Sequence, residues 1–105
     1  MISKAKINEA VERLVESADP LQIFLFGSYA RGEAHKRSDL DFLVIKREVK
    51  NRRKEMVRLS DTLRSMRIPV DILVASEATF REWQDVVGTV FYEVKREGQL
   101  LWHKM

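Results

Sequence analysis

The chain has no cysteine. Disulfides and thiolate metal sites are therefore excluded, and a cytoplasmic location is expected. It has only 2 histidines, His35 in a polar loop and His103 in the tail, and neither has the spacing of a zinc site. No apolar run approaches the roughly 18 residues needed to cross a bilayer. Met1 to Lys6 lack the apolar core of a signal peptide, so no membrane partner is expected. Neither sign of charge dominates: 19 Lys and Arg against 16 Asp and Glu leave +3. That balance favours an anionic ligand but falls short of the concentrated basic face of a dedicated nucleic-acid binder. Nothing in the chain reads as a repeat, a linker or a low-complexity segment. With 105 residues, positions 1–105 are expected to form one domain with a single core.

What is present is a clear alternation of periodicities. Ile7, Ala10, Val11, Leu14 and Val15 recur at helical spacing, which predicts an amphipathic helix over about Ser3 to Ser17, ended by Ala18-Asp19-Pro20. Leu21 to Phe26 is an apolar run between proline and glycine, as expected of a strand buried on both faces. Leu40 to Ile45 predicts a second strand, Asn51 to Met66 a second helix, and Val70 to Val74 a third strand with Pro69 at its entrance. Phe80, Trp83, Val87, Val90, Phe91 and Val94 predict one or two further helices, with Gly88 as a break, Gly98 as a cap and Gln99 to Trp102 as a short last strand. The expected fold class is α/β (α+β): a small mixed sheet of three to four strands packed with helices.

The chemistry gathers around two segments. Asp39 and Asp41 stand at i and i+2 where the second strand begins, so both point to one face. Mg²⁺ favours one or two carboxylates plus substrate phosphates over a closed protein cage. A phosphate donor is therefore needed nearby, and Gly27-Ser28, at the exit of the first strand, is where it would sit. Each piece has a plainer explanation. A Gly-Ser after a strand is commonly a simple turn, and an Asp-x-Asp is often only solvated. The strand aspartates resist that explanation: Asp41 opens an apolar run, and Asp71 is the only charge between Ile68 and Ala75. A carboxylate on a buried strand is costly unless it is paired or bound to a metal.

These residues resemble the minimal nucleotidyltransferases of the DNA polymerase β-like superfamily, the antitoxin-type members included. The signature is Phe26-Gly27-Ser28, then Asp39-Leu40-Asp41-Phe42 and Val70-Asp71-Ile72, with Gly-Ser-x-Ala-Arg-Gly intact at Gly27 to Gly32. The resemblance spans about Leu21 to Trp102 and implies the polymerase β-like nucleotidyltransferase fold. It also implies Mg-dependent transfer of a nucleoside monophosphate from ATP or another NTP to a hydroxyl. In this family two cations about 3.5–4 Å apart would clamp the attacking and leaving oxygens. Asp39, Asp41 and Asp71 would hold the metals and carry the catalysis, with Asp71 also placed to accept the acceptor's proton. Gly27, Ser28 and Arg31 would bind the nucleotide. Ser38 would fix the strand entrance. The resemblance further implies an all-α HEPN-type partner, a toxin neutralised by AMP transfer onto a tyrosine.

Two other functions compete with this one: a module that neutralises its partner by occlusion alone, and a transferase acting on a small molecule such as an aminoglycoside. Three costly acids argue against pure occlusion, and a short C-terminal segment after Asp71 argues against the third unless a homo-oligomer builds a second wall. Lys46, Arg47, Lys50, Arg52, Arg53 and Lys54 form a basic cluster that is either a solvated face or a docking patch. Among the aromatics, Trp83 and Tyr92 are the candidates for exposed interface anchors. Arg31 has a plainer alternative too, an ion pair with Asp39 or Asp41.

Overall fold

A computed structural model describes residues 1–105. Helix α1 (Lys4–Ala18) starts where the Ser3 hydroxyl accepts a hydrogen bond from the Lys6 N–H, the ordinary N-cap arrangement. It buries Ala10, Val11, Leu14 and Ala18 and ends at Asp19, whose φ of 45° turns the chain into Pro20. Strand β1 (Gln22–Phe26) leads directly into the single-turn helix α2 (Gly27–Ala30). Strand β2 (Leu40–Lys46) is followed by helix α3 (Arg52–Leu63), capped by Asn51, whose last turn tightens into a 3₁₀ turn at Arg64–Met66. Strand β3 (Val70–Ser76), helices α4 (Glu77–Trp83) and α5 (Val90–Glu97), and strand β4 (Gln99–His103) complete the chain.

The expected mixed sheet is present, with four strands in the order β3-β2-β1-β4. β2 and β3 run parallel, while β1 is antiparallel to both of its neighbours. Alternation along the strands feeds two apolar layers. Ile23, Leu25, Leu40, Phe42, Val44, Ile72 and Val74 face α1 and α3. Phe24, Phe26, Leu43, Ile45, Leu73 and Ala75 face α4 and α5. The expectation of a first strand buried on both sides is met in this way.

The parallel ladder runs from Leu40↔Val70 to Lys46↔Ser76, so β2 and β3 extend one and two residues past their apolar runs. The C-terminal segment holds two helices, with Gly88 at φ +92° in the connection. Gly98 caps α5 in an extended conformation. A Cβ there would lie 2.5 Å from the Val94 carbonyl oxygen, so glycine allows α5 to pass straight into β4. β4 carries a bulge opposite Ile23/Phe24, and both Leu101 and Trp102 pack on the α1/α3 layer. β3 is an outer strand, and the Arg52 guanidinium donates to its Val74 carbonyl at 2.7 Å. No helix is long and apolar enough to cross a membrane.

Candidate active site

The β2–β3 register sets Asp41 directly beside Asp71. Residues paired in this way project from the same face of the sheet, here the face covered further along by α4 and α5. On its other side Asp41 pairs with Phe26, the last residue of β1. Asp39 lies two positions earlier, just ahead of β2. The entrance to that strand is stitched down. The hydroxyl of Ser38, a residue 8 % exposed, accepts from the His35 N–H at 2.9 Å, and the Ser38 N–H donates to the His35 carbonyl at 2.9 Å. The Leu40 N–H donates to the Pro69 carbonyl at 3.0 Å, tying the entrances of β2 and β3 together.

Gly27 is where backbone freedom counts. Its φ is +72°, and a Cβ at this position would lie 2.1 Å from Asp41 Oδ2. The Asp41 carboxylate is therefore pressed against a bare stretch of main chain, and any side chain would evict it. Ser28 and Tyr29 follow in α2, whose first N–H groups have no partner within so short a helix. The Tyr29 hydroxyl accepts from the Ile2 N–H at 3.0 Å, and the Gln99 side-chain amide donates to the Ala30 carbonyl at 2.9 Å. These two bonds brace the turn from either side.

The electrostatics are those of crowded acids. Burial, followed by the charges of Asp71, Asp39 and Glu93, raises the Asp41 carboxyl from 3.8 to about 6, while Arg31 pulls the other way. A carboxylate held against its own ionisation by neighbouring acids is a natural cation seat. No three acidic, imidazole or thiol groups are drawn together into a ready-made metal cage. The arrangement suits a cation completed by phosphate oxygens better than one enclosed by protein, and Mg²⁺ accepts such a site.

Arg31 does not pair with Asp39 or Asp41. Its Nε donates to Glu33 at 2.8 Å, and its Nη1 lies 3.6 Å from Glu93 and 3.8 Å from Glu97, both on α5. Sequence reasoning missed these two glutamates. One signal was available: like charges at i and i+4 on a helix repel, and such a pair calls for a cation from elsewhere in the fold.

The rest of the molecule is organised away from this end. A surface pocket of about 600 Å³, lined by Leu21, Phe80, Arg81, Leu100, His103 and Lys104 among others, lies at the opposite end of the sheet, where Gln22 pairs with Ile45 and His103. A second, of about 400 Å³, is lined by Lys46, Lys50, Lys54 and Arg58 with Glu48 and Glu55. In the basic cluster Lys46 is engaged by Glu55 at 2.6 Å and Arg52 by the β3 carbonyl. Trp83 is 42 % exposed, while Tyr92 is half-buried beneath the Arg96 guanidinium.

Comparison with known proteins adds to this geometry. A family model described as nucleotidyltransferase domain matches residues 4–97. Comparison with curated proteins gives no match. Among solved structures, a candidate nucleotidyltransferase from Sulfolobus solfataricus is 27% identical with a TM-score of 0.67, over 95% of this chain and 79% of that one. A chain of a toxin–antitoxin structure with AMP-PNP is 25% identical with a TM-score of 0.69, over 99% of this chain and 76% of that one. A chain of a tri-AMPylated Shewanella oneidensis HEPN toxin in complex with an MNT antitoxin is similar in fold, at 19% identity and a TM-score of 0.65, over 98% of this chain and 74% of that one.

Proposed function

The chain belongs to the nucleotidyltransferase domain family, and from that premise we propose that it transfers AMP from ATP to a hydroxyl of a partner protein, a tyrosine of a HEPN-type toxin. The observation that carries this reading is the direct pairing of Asp41 with Asp71, with Asp39 two residues away and Gly27 bare behind them. In the reaction the acceptor oxygen attacks the α-phosphorus. The new P–O bond forms as the α–β anhydride breaks, pyrophosphate leaves, and the hydroxyl proton passes to a carboxylate.

Asp71 is that carboxylate. It stands exposed on the outer strand, where an incoming hydroxyl can reach it. Asp39 and Asp41, joined by Asp71, would hold Mg²⁺, which when bound supplies charge neutralisation for the attacking and leaving oxygens. Gly27 and Ser28 offer main-chain N–H groups and a hydroxyl to the terminal phosphates, and Arg31 adds a guanidinium at their edge. The AMP-PNP complex among the similar structures supports nucleotide binding, and the tri-AMPylated toxin supplies the acceptor chemistry to test.

The test is to mix the chain with a HEPN-type all-α partner, ATP and Mg²⁺, and to weigh the partner. Mass increments of whole AMP units, lost in Asp41→Asn, are expected. An unmodified partner that regains activity on dilution would sink the transferase reading in favour of occlusion.

A further inference from the structure

We propose that Glu93 and Glu97 are positioning residues that hold Arg31 off the aspartate row. Asp39 and Asp41 then stay free for a divalent cation, while the guanidinium waits at the edge of the site. This deepens the nucleotidyl-transfer reading and rests on it.

Arg31 closes the α2 turn, its N–H donating at 3.2 Å to the carbonyl of Gly27, the residue against which the Asp41 carboxylate is pressed. A long, flexible arginine next to crowded acids would ordinarily collapse onto them. Such an ion pair would occupy the oxygens that a cation needs. Glu33 sits only two residues from Arg31 in the same loop, so it can set the local side-chain conformation but cannot anchor the guanidinium to the rest of the fold. Glu93 and Glu97 do so from a different element.

That element is itself firmly placed. Val94, between them, is 1 % exposed in the layer with Phe26 and Leu43. The Thr89 side chain caps the helix start by accepting from the Tyr92 N–H at 3.2 Å. Gln99, just after the helix, binds the Ala30 carbonyl beside Arg31. The other cations of α5 are engaged elsewhere, Lys95 with Asp85 and Arg96 with Tyr92. Arg31 is the cation within ion-pair distance of both Glu93 and Glu97. Three carboxylates around one guanidinium also leave a local negative excess that favours cation entry.

The test is a double-mutant cycle on cation binding, with Mn²⁺ as the probe and its free-ion electron paramagnetic resonance signal as the readout, without nucleotide. Glu93→Gln with Glu97→Gln is expected to weaken Mn²⁺ binding about threefold to fivefold, the scale of exposed ion pairs. In an Arg31→Gln background the same pair of changes should have a clearly smaller effect, because only their lost charge acts and no guanidinium remains to fall onto Asp41. An equal loss in both backgrounds, or no loss in either, overturns the proposal. Should the double variant fail to fold, the two single variants in both backgrounds give the same comparison. A parent that binds Mn²⁺ but transfers no nucleotide refutes the proposed function and leaves this inference standing. A parent that binds no Mn²⁺, with AMP-PNP absent or present, refutes both.

Discussion

Replacing Asp41 by asparagine should stabilise the ligand-free fold while abolishing transfer. The carboxyl is raised from 3.8 to about 6, first by burial and then by Asp71 and Asp39. At about 1.36 kcal/mol per pKa unit, the ceiling on the destabilisation is about 3 kcal/mol. The group is partly open to water, and screening brings this to about 1–2 kcal/mol. The sign follows from linkage. The folded value lies above the unfolded one, so there is no penalty below pH 3.8; it grows as pH rises between 3.8 and about 6 and is complete above that. Thermal melts at pH 7.5 should place the asparagine variant roughly 5–10 °C above the parent, with the gap shrinking as the pH is lowered toward about 4. Added Mg²⁺ should raise the melting temperature of the parent and leave the variant unmoved. A variant that melts below the parent at pH 7.5, or a gap equal at both pH values, would refute the reasoning.

Gly27→Ala should cost about 1–2 kcal/mol from its left-handed backbone alone and, by displacing the Asp41 carboxylate, abolish transfer; circular dichroism with an activity assay checks both. Asp71→Asn should lower the pH at which Asp41 titrates, followed by carboxyl ¹³C NMR, because a repelling neighbour has gone; an unchanged midpoint would contradict their pairing. Glu55 is held down from 4.5 to about 2, chiefly by its hydrogen bond from Arg58 and then by Lys46. Its contribution is therefore present above pH 4.5 and lost as pH falls toward about 2. Glu55→Gln should cost about 1–2 kcal/mol near pH 7 and almost nothing near pH 2 by urea unfolding. Phe42→Ala, at a fully buried position, should cost about 3–5 kcal/mol, read from the shift in the urea midpoint.

The strands were legible because their apolar runs are bounded by proline, glycine and aspartate, and Asp41 and Asp71 stood out as charges that packing could not explain. The register that seats one beside the other is a tertiary fact. It depends on where β3 slides along β2, and no local pattern states it. Ser38 was read as a fixture of the strand entrance and is found bonded into that loop. Arg31 shows the limit most clearly. The sequence reading offered it Asp39 or Asp41 and passed over Glu33, two residues away, and its partners on α5 lie about sixty positions further along the chain. The aromatic residues divided in the same way. Phe80 and Phe91 meet edge to face in the α4/α5 layer, while Trp83, singled out as a candidate exposed anchor, is 42 % exposed.

The outermost position of β3 has a consequence for the acceptor. An acid on the rim of a sheet can be approached sideways by a whole folded surface, with no lid to lift and no groove to thread. A rim open to visitors also invites unwanted strands to zip onto it, a route to clumping. The Arg52 guanidinium on the Val74 carbonyl takes up one of the handholds such a strand would use. The molecule can thus leave the flank that carries Asp71 uncovered while offering less purchase for self-association.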